Sequence, residues 1–185
     1  MPSPRFKLVV AIMTVATVGV YLAEPYLGLH SYQQYRPAPP ISLSTIDGST
    51  FNLSDHQSGA VLIDFMATWC PPCRDETVEL RRVREAFSAE ELTIVTINID
   101  YSENAQQLSQ FRTAFARYNG SAEGAGWFFA LDTPGEYAGP RYGATALPTL
   151  VLVDRDGLIR YSWVGTVSAL ALQGPINEIM RAPVT

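Results

Sequence analysis

Cysteine is scarce in this chain: of 185 residues, only Cys70 and Cys73 are cysteine. A pair three positions apart closes almost no loop, so a structural disulfide framework is excluded. Redox chemistry or metal binding is what remains for the two thiols. Histidine is equally sparse, with His30 and His56 alone, and neither lies near the cysteines in sequence. Lys7 is the only lysine. The formal net charge is −5, and nothing along the chain resembles a nucleic-acid surface. Charged residues make up 17% and hydrophobic residues 47%, which is the balance of a globular and not a disordered chain. Internal repeats and low-complexity tracts are absent.

What is present begins with an asymmetry of charge. Residues 1–40 carry a net +2, so the remainder holds −7. Arg5 and Lys7 precede an uninterrupted apolar or small-residue run from Leu8 to Ala23, ended by Glu24 and Pro25. At ~1.5 Å per residue that run spans ~24 Å, slightly short of a ~30 Å hydrocarbon core. Tyr21 and Tyr26 can make up the difference at the interface. Signal anchor, cleaved leader and buried core helix are the competing readings. The lack of a polar face argues against a core helix, and Tyr21 occupies the position a small residue would need before a cut after Ala23. Residues 1–24 are therefore expected to be a single-pass anchor in the cytoplasmic (inner) membrane. The cations at its N-terminal side place the rest of the chain on the extracytoplasmic, periplasmic side, an oxidising setting. Residues 25–40, rich in Pro and Tyr, read as a stiff linker, and residues 41–185 as one domain.

The domain states its chemistry between Val61 and Glu76. Val61, Leu62, Ile63, Phe65 and Met66 form the apolar run of a central strand covered on both faces, predicted over 60–67. From Cys73 onward the spacing of Cys73, Glu76, Leu80, Val83 and Phe87 predicts a helix over 71–87 with these residues on its buried stripe. The two thiols thus sit at a helix N-terminus, where unpaired backbone N–H groups and the helix dipole stabilise a thiolate. Cys70, just before the first turn, is the candidate attacking thiolate. Cys73, one turn further in, suits the resolving role. Pro71 fits the first helical position, and Pro72 removes a second donor, so fewer backbone donors are expected to steady Cys70 than in a site without it. A carboxyl at Glu76, on the buried stripe, should be hard to ionise and suited to proton transfer with the dithiol.

The flanking segments read as support. Ile41 to Leu53 is a short hairpin around Asp47-Gly48, Leu92 to Asp100 a second β-branched strand, and residues 103–118 a helix with Leu108, Phe111, Phe115 and Tyr118 on one face. Gly120 to Gly126 is a loop, Trp127 to Leu131 a short strand, and Pro134 to Tyr142 a turn and short helix. Leu150–Val153 and Leu158–Val164 flank the turn Asp154-Arg-Asp-Gly157 as a hairpin. Ser168 caps a last helix to about Arg181, with Leu170, Leu172, Ile176 and Ile179 expected to face inward. The order is βαβαβ, a β-hairpin, then α.

Trp69-Cys-Pro-Pro-Cys73 at a strand-to-helix turn, with Leu147-Pro-Thr149 leading a later hairpin, resembles the thioredoxin fold and its membrane-anchored TlpA/ResA-like branch, over roughly Ile41 to Met180. The resemblance implies an α/β thioredoxin-like fold, a mixed central sheet flanked by helices, behind the N-terminal transmembrane helix. Cys70 and Cys73 would be its redox-active disulfide, with no cofactor and no metal site. It implies a cis Leu147–Pro148 bond bordering the dithiol, with Leu147, Pro148 and Trp69 forming the surface that binds substrate. Asp64 matches a buried acid thought to exchange a proton with the resolving cysteine. Thioredoxins place a lysine near it, Thr96 stands there in this chain, and desolvation is expected to raise the Asp64 pKa. Glu76 matches an acid that ResA-like proteins hold close to the cysteines. Proteins of the CcmG branch usually have Pro-Glu after the cis bond, so Pro148-Thr149 points to a general TlpA/ResA-like reductase. The activity implied is reduction of disulfides in exported proteins, cytochrome c apoprotein among the candidates, with electrons from a membrane donor protein. Two other readings use the same residues: a Cu(I) metallochaperone binding through both thiolates, and a peroxiredoxin-type peroxidase, whose upstream proline-and-hydroxyl pattern is met here only by Thr68.

Overall fold

The computed structural model describes residues 36–116 and 126–182. The expected anchor at 1–24, most of the linker, Tyr118 and the loop from Gly120 to Ala125 lie outside the described residues.

Eight strands are described: β1 (Arg36–Pro37), β2 (Ser42–Ser44), β3 (Thr50–Asn52), β4 (Ala60–Met66), β5 (Leu92–Asn98), β6 (Trp127–Leu131), β7 (Thr149–Val153) and β8 (Leu158–Val164). Six of them form one sheet in the order β1-β8-β7-β4-β5-β6, and β2 and β3 form a separate hairpin. β4, β5 and β6 run parallel, whereas β7 pairs antiparallel with β4, and β8 pairs antiparallel with β7. The helices are α1 (Pro71–Ala86), α2 (Ala105–Phe115), α3 (Ala138–Tyr142) and α4 (Ala169–Arg181).

All seven residues of β4 are buried, because successive side chains alternate between two covered faces of the sheet. Leu62 and Met66 join Cys70, Cys73, Leu80 and Leu172 in one core. Val61, Ile63 and Phe65 enter a second core with Leu43, Phe51 and Tyr142. Complete burial of side chains of this size contributes about 1.5–3 kcal/mol each. Asp64 shares the parity of Leu62 and Met66, so a carboxyl is carried into the layer that holds the cysteines.

The structure shifts several expected boundaries for local reasons. α2 begins at Ala105 and not at 103, because the Asn104 side chain accepts the N–H groups of Gln106 and Gln107 while the Gln107 side chain returns to the Asn104 N–H. Leu170 does not face inward: it is 80% exposed. With Ser168 as N-cap, the buried stripe of α4 is Ala169, Leu172, Ile176 and Ile179, and Leu170 precedes Leu172 by two positions, about 200° around the helix. At the start of the domain, Arg36 and Pro37 pair with Ile159 and Leu158 of β8, and the Tyr142 hydroxyl donates to the Pro39 carbonyl at 2.6 Å. The end of the stretch read as linker therefore belongs to the sheet edge. No helix among the described residues is long and apolar enough to cross a membrane.

Candidate active site

The parallel strands end along one edge of the sheet, the edge at which ligands bind in open α/β folds. β4 ends there in the turn that carries Trp69 and the cysteines. Cys70 is the N-cap of α1, and Pro71 and Pro72 open the helix. Cys70 and Cys73 are joined in a disulfide with Cα atoms 5.3 Å apart. The Cys73 N–H donates to Cys70 Sγ at 3.2 Å. Pro71 and Pro72 have no N–H to offer, so this amide is the first one of the helix able to steady a thiolate at Cys70. Cys70 is 3% and Cys73 1% exposed.

A cleft of about 670 Å³ opens beside the disulfide, bounded by Trp69, Cys70, Pro71 and Pro72, by Ile99 to Ser102 after β5, and by Ala144 to Leu147. The last segment leads into a cis Leu147–Pro148 bond. Leu147 is half-buried and Pro148 buried. Trp69 is 59% exposed, so it stands over the cleft and is not core packing. Its indole N–H donates to Asp100 Oδ2 at 2.6 Å.

Asp64 and Glu76 reach the layer behind the disulfide from different elements. Asp64 pairs in register with Thr96 across β4 and β5, and the Thr96 hydroxyl donates to Asp64 Oδ2 at 3.1 Å. One hydroxyl cannot offset the loss of water, and burial pushes the Asp64 carboxyl up to about 7. Glu76 projects from α1 and accepts the Val167 N–H on Oε2 at 2.6 Å. Burial raises it to about 9, and the negative charges of Asp64 and Glu79 act in the same direction.

Sequence reasoning missed the carboxylates after β5. Glu103 accepts the Thr68 N–H at 2.8 Å, the Thr68 hydroxyl, and the Asn98 amide at 2.7 Å, which fixes the turn ahead of Trp69. Asp100 is held below the usual carboxylate range by hydrogen bonds, first from Ser102 and then from Trp69. The signal was the pair of carboxylates Asp100 and Glu103 with Ser102 between them, just after a parallel strand adjoining β4. Among the described residues, no group of three or more His, Cys, Asp or Glu is placed to hold a metal ion.

A mixed sheet of this order, a dithiol at the N-terminus of its first long helix and a facing cis-proline loop define a thioredoxin-fold protein with a redox-active cysteine pair. The chain belongs to the Redoxin family, whose model matches residues 33–170. It is similar to thioredoxin-like protein YneN of Bacillus subtilis, with 29% identity over 173 residues, 91% of this chain and 94% of the relative. Thiol-disulfide oxidoreductase ResA of Bacillus thuringiensis is 22% identical over 177 residues, 94% of this chain and 95% of the relative. Among solved structures, a putative thiol:disulfide interchange protein DsbE from Chlorobium tepidum superposes with a TM-score of 0.66 at 27% identity, covering 80% of this chain and 97% of the other. The protein is a thiol–disulfide oxidoreductase of the thioredoxin type.

Proposed function

We propose that this oxidoreductase works outside the cytoplasm, held to the membrane by residues 1–24, and reduces disulfides in exported proteins, apocytochrome c among them. The observation that carries the reading is the placement of Cys70 Sγ at a helix N-cap on the wall of an open cleft. In the reduced protein, the Cys70 thiolate attacks one sulfur of a substrate disulfide, and the other substrate sulfur leaves with the bonding pair. Cys73 loses its proton and attacks Cys70 Sγ, releasing the second substrate sulfur as a thiolate. The substrate gains two electrons and Cys70–Cys73 becomes the disulfide. A membrane donor protein then returns two electrons to the pair.

Trp69, Leu147 and Pro148 bind the substrate segment in this scheme, and Glu76 and Asp64 handle the Cys73 proton. The N-terminal run, with Arg5 and Lys7 ahead of it, supports the location, and relatives named thiol-disulfide oxidoreductase ResA support the chemistry. A Cys73→Ser variant expressed in a host with an exported thiol proteome should accumulate mixed disulfides through Cys70, visible as DTT-sensitive adducts on non-reducing gels. Adducts from Cys70→Ser and none from Cys73→Ser would reverse the two roles. None from either variant would remove the proposal.

A further inference from the structure

Among the described residues, the exposed large hydrophobic and aromatic side chains include Trp69, Tyr101 and Tyr137. Trp69 and Tyr101 line the cleft beside the disulfide. The Tyr137 ring meets the Tyr101 ring edge to face, with centroids 5.9 Å apart and planes at 88°. The aromatic wall of the cleft therefore continues outward from Tyr101 onto a second ring.

The loops that carry the two tyrosines are fixed to each other. Asp132, buried after β6, accepts the N–H groups of Thr133 and Ala138 at 3.0 Å and that of Gly139 at 3.1 Å. The Tyr101 hydroxyl donates to the same carboxylate at 3.3 Å. Gly139 packs so closely on the loop after β5 that a Cβ there would lie 3.0 Å from Ile99 Cγ2. Held by these ties, Tyr137 takes a left-handed backbone with φ 47°, which no other non-glycine residue among the described ones does. A bulky residue is disfavoured in that conformation, yet it is what sets the ring in the open against Tyr101.

Charge decides what the rings are suited to hold. Residues 98–103 and 131–137 include four carboxylates and no basic residue. Three are occupied: Glu103 by Thr68 and Asn98, Asp132 by backbone, and Glu136 by Arg141 at 3.5 Å. Asp100 lines the cleft, and its partners, Ser102 and the Trp69 indole, are neutral. Arg74, the cation nearest the cysteines in sequence, stacks over Phe115 at 5.5 Å. An acidic occupant would be repelled by Asp100, and a purely apolar one would strip water from that carboxylate without replacing it. A cationic side chain is attracted by the carboxylate and by the ring faces together.

We propose that Tyr101, Tyr137 and Asp100 form a specificity subsite that takes a lysine or arginine side chain of the substrate protein, a few residues from its disulfide cysteine. The substrate class is then an oxidised protein segment with a basic residue flanking the cysteine. The inference rests on the reading given above for the reaction, but not for the binding.

Binding is tested with the full-length oxidised protein in a nonionic detergent and short peptides that carry serine in place of cysteine. Lysine is placed on one side of the serine or the other, and each peptide has a glutamate counterpart. For at least one side the lysine peptide is expected to bind about tenfold more tightly than its counterpart, with the ratio falling as salt is raised. Tyr101→Ser combined with Tyr137→Gly, whose glycine accepts the left-handed backbone, is expected to cut the ratio about threefold or more, as is Asp100→Asn. Tyr101→Phe combined with Tyr137→Phe keeps both rings and should keep the ratio. Paired peptides meet the same variant, so a general loss of fold weakens both. Lysine peptides that bind no better than glutamate ones, or a ratio unchanged by removal of the rings or of the Asp100 charge, overturn the subsite. The same sequences with cysteine restored, as glutathione mixed disulfides, are then offered to the reduced protein. Release of glutathione at equal rates from lysine and glutamate peptides overturns the subsite and leaves the exchange reaction standing. A binding preference with no release from any peptide counts against the exchange reaction and leaves the subsite standing.

Discussion

At the scale of single residues, Glu76 sets the clearest expectation. Its carboxyl keeps its proton in the folded protein up to about pH 9, against an ordinary value of 4.5. Between those limits the unfolded chain binds fewer protons than the folded one, so stability falls as pH rises, by up to about 1.4 kcal/mol per unit from this group. Asp64 adds a similar slope that ends near pH 7. Glu76→Gln is expected to match wild type within about 1 kcal/mol below pH 4.5, to flatten the decline above it, and to be the more stable protein at pH 8. Urea unfolding of the oxidised protein across this range measures the difference. Glu76 was legible in the sequence because its spacing from Cys73 and Leu80 fixed which side of the helix it faced. Glu103 was not, because its partner Thr68 lies 35 positions away, and nothing local says which carboxylate of the run after β5 folds back to that turn.

At the scale of elements, β4 was legible throughout, since an apolar run closed by Trp-Cys-Pro-Pro-Cys has few alternatives. The face of α4 was only partly so: a leucine-rich segment offers more than one apolar stripe, and the N-cap decided against Leu170. The start of β4 depends on a contact the sequence does not reveal. A Cβ on Gly59 would lie 2.5 Å from the Glu90 carbonyl oxygen and 2.6 Å from that of Glu91, where Ala60 N–H donates to Glu91 at 2.9 Å. Both neighbours are backbone, so neither can swing aside. Gly59→Ala is expected to cost about 1–3 kcal/mol by overpacking, read as a lower denaturation midpoint at unchanged m-value. The pairing of Arg36 and Pro37 with β8 was hidden for a different reason. Two residues carry no periodicity, and a proline is tolerated there because β1 is an edge strand.

At the scale of the whole molecule, two cores among the described residues back the six-stranded sheet, and the loops after β4 and β5 and the segment leading into β7 gather around the disulfide. Helix order and the longer strands were readable from strand and helix periods, whereas the order of strands across the sheet was not, because pairs such as β4 with β7 join residues some ninety positions apart with no local signal. The proposed location is also a property of the entire chain. If residues 1–24 anchor it with the N-terminus inside, a membrane-impermeant maleimide added to intact cells, or to spheroplasts of a two-membrane host, should label Cys70 or Cys73 after mild reduction. The protein should also stay with the membrane pellet through carbonate washing. Protection of both thiols until the membrane is lysed would place the domain in the cytoplasm.

Of the three tryptophans, Trp127 and Trp163 are buried and Trp69 alone stands in the open beside the cysteines. A nearby S–S bond drains the excited state of an indole, and a thiol pair does so less. The protein therefore carries its own optical gauge: emission from one ring should brighten as electrons arrive and dim as they leave. Replacing that ring with phenylalanine should silence the signal while leaving the other two indoles glowing as before.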